Sequence, residues 1–305
     1  MNKIFRNRLR ACRSFFLTPG SRPERFPAAR DGDGIMVDLE STVAPSDKDR
    51  ARKAALAFFT QPAEMHFVRL LRINSPRTVE GLRDLLALHG SDAHPDAIVI
   101  PKCESADEVG VVADVLDGAQ SAIGLVPMIE LARAVFVAHH IANAHPRVCG
   151  LFLGGGDLAA DLGAEGSWEN LLFGRSCVVA AAATTGIAAI DVPYFKTDEA
   201  GLRLEADASR KLGMTGKAAL RAEQLALINN FFTPPLDAVE HARAVVEACA
   251  AAGTNTPVLN GHVVELAMIR EAERVRAIEE KIRRHVQASA AKRVATCMTE
   301  KVAQS

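Results

Sequence analysis

The sequence predicts an α/β fold, a (β/α)8 TIM barrel with a C-terminal helical extension. Three observations carry that prediction. Short apolar or β-branched runs alternate about eight times with longer amphipathic stretches, the pattern of parallel βα units. The 305 residues comfortably exceed the about 250 that such a barrel uses. The alternation then stops at TPPLD (233–237), which leaves a tail beyond eight units. An open doubly wound sheet is the other arrangement that the alternation allows.

Taken in order, the expected strands are SFFLTP (14–19), GIMVDLE (34–40), HFVRLLRIN (66–74), AIVIPK (97–102), AIGLVPM (122–128), VCGLFLGG (148–155), GIAAIDVP (186–193) and GKAAL (216–220). The last is the weakest, being short and rich in Ala. Helices are expected over 46–60, with Ser46 as a good N-cap, and over 76–89, 105–116, 130–143, 168–185, 198–213 and 222–231. Past the break, 236–252 reads as a helix, TNTPVLNGH (254–262) as a loop, and 263–286 as a second, highly charged helix. The resulting division is a basic extension over 1–12, a barrel over 13–233, a helical segment over 234–286 that packs on the barrel or on a neighbouring subunit, and a disordered tail over 287–305 with few large apolar groups.

Composition excludes several function classes. Lys+Arg 36 against Asp+Glu 37 gives a net charge of −1, so no global field favours nucleic acid or an acidic membrane. One Trp and one Tyr make a poor base-stacking platform. Six scattered Cys without a CxxC pair argue against a disulfide framework or a zinc site and for a reducing compartment. The basic MNKIFRNRLRACR lacks the apolar core of a secretory signal and is expected to be a disordered extension. No apolar run approaches the roughly 20 residues of a membrane span. The expectation is a soluble cytoplasmic protein.

In a barrel of this kind chemistry sits at the C-terminal strand ends. Those ends carry Pro19 to Arg22, then Asp38, Leu39 and Glu40, then Arg72 and Asn74, Lys102, Glu130, Gly154 to Gly156 with Asp157, and Asp191. Strand ends meet water and are polar anyway. Arg72 and Glu130, however, each follow an unbroken apolar run, and several carboxylates at one mouth repel unless a cation sits among them. Glu130 and Asp157 are the best metal pair, because oxygen ligands without nearby His or Cys suit Mg²⁺. The triple glycine of LFLGGGDLAADL (151–162) would let backbone run close to the ion and its ligand. A dinucleotide loop fits less well: Asp157 would face the pyrophosphate, and Asp191 is too distant to be the ribose acid. No G-x-S-x-G elbow accompanies the histidines, which read as surface or satisfied groups.

The ordered segments RSFFLTPGSRPERF (13–26), VDLESTVAPSDKDRAR (37–52), LRIN (71–74), IPKCES (100–105), PMIELARAV (127–135), LGGGDLAADLG (153–163), GRSCVVAAAATTGIAAIDVPY (174–194) and NGHVVELAMIREAERV (260–275) go further. Through them the chain resembles the citrate lyase β-subunit-like group of the HpcH/HpaI aldolase superfamily, relatives of malyl-CoA and citramalyl-CoA lyases. The likeness runs over about residues 13 to 275.

The resemblance implies a Mg²⁺-dependent barrel that makes or breaks a carbon–carbon bond next to a thioester. It implies Glu130 and Asp157 as metal ligands, with Gly155 and Gly156 beside the substrate. Arg72 would stabilise an enolate or hold a carboxylate, and Glu40 would lie near the metal. Pro19, Gly20 and Arg22 would stand where the acyl thioester approaches. Glu265, from the C-terminal segment and often from a neighbour, would be the general acid/base. Homo-oligomers, trimers or dimers of trimers, are implied too. The sequence departs from the family pattern at Ser41, where an acid is usual, at Glu265, where Asp is usual, and at Arg221, where His is usual. Two other functions stay open at this stage: an aldolase acting on free 2-oxo acids, and a non-catalytic binding or assembly homologue.

Overall fold

The computed structural model describes residues 3–62, 67–252 and 257–303. His66, expected to open the third strand, and residues 254–256 of the expected loop lie outside the described residues. The chain forms two compact units, Met1–Phe232 and Thr233–Ser305.

The first unit is a closed barrel of eight parallel strands in sequential order. These are β1 (Ser14–Pro19), β2 (Gly34–Asp38), β3 (Val68–Arg72), β4 (Ala97–Ile100), β5 (Gly124–Ile129), β6 (Gly150–Leu153), β7 (Ala188–Asp191) and β8 (Gly216–Ala219). Closure is made by β8 pairing with β1, Phe15 opposite Ala218. Both strand faces are apolar because both are covered. Phe15, Leu17, Met36, Leu70, Val99, Met128, Phe152 and Ile190 fill the lumen. Phe16, Ile35, Val37, Leu71, Ile98 and Ile129 point outward beneath the helices. The period of two along each strand therefore sorts its residues between lumen and jacket.

The jacket helices are α2 (Lys48–Phe59), α3 (Val79–His89), α4 (Ala106–Val115), α5 (Ala132–Ala142), α6 (Gly155–Leu162), α7 (Trp168–Thr185), α8 (Glu199–Leu212) and α9 (Glu223–Phe232). Thr78, Ser105, Ser167 and Asp198 cap α3, α4, α7 and α8 through side-chain oxygens. Ser46 does not cap α2 as expected. A 3-10 turn over Pro45–Asp47 comes first, and Asp47 takes the cap position without a side-chain bond. α6 begins inside the triple glycine, where no helix is expected from the sequence.

The basic N-terminal stretch is not a loose extension. It contains a helix, α1 (Lys3–Arg10), whose Leu9 is fully buried and joins Cys12, Phe15 and Cys149 in the lumen cluster. An apolar side chain there closes the N-terminal end of the barrel with the same burial energy that fills the rest of the core.

The second unit comprises α10 (Leu236–Ala252), the two-residue strands β9 (Val258–Leu259) and β10 (His262–Val263), and α11 (Leu266–Ala303). β9 and β10 pair antiparallel where a loop was expected over 254–262, and Val263, expected to open the second helix, ends β10 instead, with α11 starting at Leu266. Val239, Ala242, Val245, Val264, Ala272 and Val275 make its own small core. Helical backbone continues past residue 286, and the sequence there contains no Gly or Pro to interrupt it.

Candidate active site at the C-terminal mouth of the barrel

Asp38, Arg72 and Glu130 each lie two residues beyond a lumen side chain, namely Met36, Leu70 and Met128. The strand period therefore carries all three to the lumen at its C-terminal end. Each is nearly inaccessible, at 0%, 5% and 1% exposure. Charges buried so deeply must be paired or neutralised: Asp38 and Arg72 pair with each other, and Glu130 accepts a backbone N–H from Lys102.

Arg72 donates from Nε to Asp38 Oδ1 at 2.6 Å and from Nη2 to Asp38 Oδ2 at 2.8 Å. This is a two-point grip that fixes the guanidinium plane. Nη2 also reaches Ser41 Oγ at 2.7 Å. Nη1 is left with the thioether of Met128 at 3.9 Å and Glu40 Oε2 at 3.5 Å. Burial works against charge on Arg72, but Asp38, Glu40 and Glu130 outweigh it and raise its pKa. Asp38 is likewise opposed by burial. Arg72, Thr42 and the Glu40 backbone N–H overcome that and hold its carboxyl below the usual value.

The loop after β2 is pinned from beneath. Lys48 Nζ donates to the Leu39 and Glu40 carbonyls at 2.6 Å each and to Asn74 Oδ1 at 2.7 Å. Asn74 Nδ2 also donates to the Leu39 carbonyl. Glu40 is thereby presented to the mouth, where its Oε1 accepts from Lys102 Nζ at 2.7 Å.

Glu130 and Asp157 come from adjacent strand ends, β5 and the turn after β6. Lys102 touches both, with its backbone N–H donating to Glu130 Oε1 at 2.6 Å and its Nζ 3.4 Å from Asp157 Oδ1. Burial first, and the charge of Asp157 second, raise the Glu130 carboxyl to about 7. A divalent cation between the two carboxylates would relieve this repulsion. Gly154 makes the cradle: a Cβ there would stand 2.2 Å from Glu130 Oε2. Among the described residues no group of three or more His, Cys, Asp or Glu side chains could hold a metal. The protein's share would be two carboxylates with no nitrogen or sulfur, a donor set that fits Mg²⁺, which leaves its other positions to water and substrate.

The three glycines thus differ in purpose. Gly154 admits Glu130. Gly155 is required by packing, since a Cβ would meet Val192 Cγ1 at 2.8 Å. Gly156 has open space around it and shares the first turn of α6 with Asp157, where backbone N–H groups lack helical partners.

Pro19 pairs with Asp38 in the sheet, and the Gly20 N–H donates to the Asp38 carbonyl at 2.7 Å. Both abut the site. Arg22 is exposed and lies 3.7 Å from Glu24, so it is not gathered into the charged group. Glu265 lies in the second unit, exposed, immediately before α11, where its carbonyl accepts from the N–H groups of Met268 and Ile269. Arg221 donates to the Lys196 carbonyl.

Asp191, expected on the rim with the others, turns away from the lumen. It is fully buried between β7, β8 and the jacket, bonded to Arg175 Nε at 2.9 Å, Lys217 Nζ at 2.8 Å and the Ser209 hydroxyl. The last residue of β7 falls on the outward phase, since Ala188 and Ile190 face the lumen and Ala189 the jacket. The same count along β2 places Asp38 on the lumen face, where it meets Arg72. Lys102 was visible only as a polar strand end.

The model of the HpcH/HpaI aldolase/citrate lyase family matches residues 19–222. The chain is 35% identical over 300 residues to the L-malyl-CoA/β-methylmalyl-CoA lyase of Rhodobacter capsulatus, covering 87% of this chain and 93% of that one. To the citrate lyase subunit beta of Escherichia coli K12 it is 32% identical over 285 residues, covering 87% and 92%. Among solved structures it is similar to the protein CitE from Mycobacterium tuberculosis in complex with magnesium, acetoacetate and coenzyme A. That similarity has a TM-score of 0.69 and 27% identity, over 89% of this chain and 100% of that one. RipC from Yersinia pestis gives a TM-score of 0.66 and 33% identity, over 75% and 98%.

Proposed function

The chain belongs to the HpcH/HpaI aldolase/citrate lyase family, and from that premise we propose that it is a Mg²⁺-dependent carbon–carbon lyase. Its substrate is a β-hydroxy acyl-CoA thioester of the malyl, citramalyl or citryl type, cleaved to a shorter acyl thioester and an oxo acid. The observation that carries the reading is the pairing of Glu130 and Asp157 at one mouth with a buried guanidinium, Arg72, whose Nη1 is free of any carboxylate bond shorter than 3.5 Å. Magnesium-bound relatives and CoA-thioester lyases among the similar sequences support it.

Glu130 and Asp157 would hold the ion. When bound, it supplies positive charge that orients and polarises the substrate's carboxylate and hydroxyl oxygens. Cleavage sends the electron pair of the breaking C–C bond toward the thioester carbonyl, so negative charge grows on that oxygen. Arg72 meets it from Nη1, in an orientation already fixed by Asp38, without reorganisation during the step. Glu40 lies beside this nitrogen and keeps the mouth acidic. The hydroxyl proton must leave and the new carbanion carbon must gain one. Glu265 is assigned that transfer, supplied by an adjacent subunit of a homo-oligomer.

The test is a thermal-shift and turnover panel of malyl-, citramalyl- and citryl-thioesters with and without Mg²⁺. A ligand that raises the melting temperature only when the metal is present, and is cleaved, supports the reading by mass action. Pyruvate and oxaloacetate in the same panel separate a free oxo-acid aldolase. Metal binding without turnover of any thioester would instead fit a non-catalytic homologue and would overturn the lyase proposal.

A further inference from the structure

Lys102 has no part in the reaction outlined above, yet it contacts three carboxylates of the mouth. Its Nζ lies 2.7 Å from Glu40 Oε1 and 3.4 Å from Asp157 Oδ1. Its backbone N–H donates to Glu130 Oε1 at 2.6 Å, and its carbonyl accepts from Arg77 Nη2 at 2.9 Å. The residue adopts φ +52°, left-handed backbone that is uncommon for a side chain of this type. Such a conformation costs free energy and persists where surrounding contacts over-determine it. Here the turn aims the backbone N–H at one carboxylate and the ammonium at two others.

We propose that Lys102 is a positioning residue, a tethered cation that holds Glu40 and Asp157 in place until a divalent ion arrives and then competes with that ion for Asp157. The inference rests on Glu130 and Asp157 being the ion's ligands. The contact with Glu40 is short and the one with Asp157 long, so Asp157 is the partner more readily given up. The side chain is one-third exposed, and its flexible four-carbon stem can withdraw into the mouth. Until it does, a like charge beside a ligand weakens the binding of the incoming ion.

The test is calorimetric titration of the full chain with MgCl₂ alone, together with melting curves of the metal-free and Mg²⁺-loaded protein. Lys102→Met is expected to tighten Mg²⁺ binding about tenfold, since a unit like charge is removed at a partly solvated site. It should also lower the metal-free melting temperature and widen the gap to the loaded form. Lys102→Gly, which suits the left-handed backbone while deleting the charge, should tighten binding as much. Lys102→Arg should stay near wild type. Unchanged or weaker Mg²⁺ binding in both the Met and Gly variants overturns the proposal, and the Gly variant keeps the test open should Met fail to fold. Asp157→Asn in the Lys102 background must abolish binding. If wild type and Asp157→Asn behave alike, the ligand assignment fails first and this proposal with it.

Discussion

A guanidinium at 5% exposure needs its charge answered, and for Arg72 the answer is Asp38, gripped through two nitrogens. The pair leaves one direction in which the cation can act. Replacing Asp38 by Asn keeps the shape but strands a buried positive charge, a change that typically costs about 3–5 kcal/mol. Asp38→Asn is therefore expected to lower the denaturation midpoint and to reduce kcat by about 10²-fold as Arg72 loses its set orientation. Chemical denaturation and steady-state kinetics on one preparation check both, and a stable variant with unaltered kcat would contradict the positioning role. Asp157 behaves differently because its side chain is 42% exposed. On the proposed assignment Asp157→Ala removes an ion ligand and no core volume, so the melting temperature without metal should hold while Mg²⁺-dependent turnover disappears. A loss of both together would show that Asp157 is structural.

At the level of elements, β7 and β8 are locked by charges unrelated to the mouth. Asp191 is fully buried and opposed by that burial, but Lys217, Arg175 and Ser209 hold its carboxyl below the usual value. A carboxyl with a depressed folded pKa contributes stability above its unfolded pKa, near 3.9, and loses it as pH falls through the folded value. Asp38 is shifted in the same direction. The stability that these two carboxyls supply should accordingly hold through neutral pH and fall below about pH 4, whereas Glu130, raised to about 7, subtracts stability as pH climbs toward that value. Asp191→Asn should show a shallower acid fall and a cost of about 3–5 kcal/mol at pH 7. Melting temperatures from pH 3 to 7 for wild type and variant measure this.

Asp191 also marks the limit of what strand-end chemistry reveals in a sequence. The eight strands and most jacket helices were legible because buried parallel strands are short, apolar and separated by capped amphipathic segments. Arg72 and Glu130 stood out for the same reason, as charges after apolar runs. The face each charge takes depends on phase, and four-residue strands such as Ala188–Asp191 give little sequence in which to fix it. α6 escaped notice because three glycines read as a loop, whereas Gly155 and Gly156 are its first turn. The burial of Leu9 could not be read from a helix dominated by Arg, and no local pattern announces that Lys102 takes positive φ.

On the scale of the whole molecule, the barrel supplies four carboxylates, a guanidinium and a tethered ammonium at its mouth, but within that group no carboxyl is left to move the substrate's proton. In the proposed reaction Glu130 and Asp157 hold the ion, and Asp38 is bonded to Arg72. Glu40 is bonded to Lys102 and to the Ser41 N–H. Glu265, exposed and outside the barrel unit, is the acid assigned the task. If it serves a neighbour's site in a closed ring, each site draws Asp157 from one chain and Glu265 from the next. Asp157→Ala and Glu265→Gln homo-oligomers should then each be nearly inactive, the former without Mg²⁺ binding and the latter with it intact. Subunits of the two variants, dissociated, mixed equally and reassembled, would place an intact Asp157 beside an intact Glu265 in about a quarter of sites. Thioester cleavage should return to about that fraction of wild type, while Mg²⁺ binding returns to half. Activity staying at the level of the separate variants after verified exchange would mean that Glu265 acts within its own chain or not at all, and the proton would have to be moved by a group other than this one.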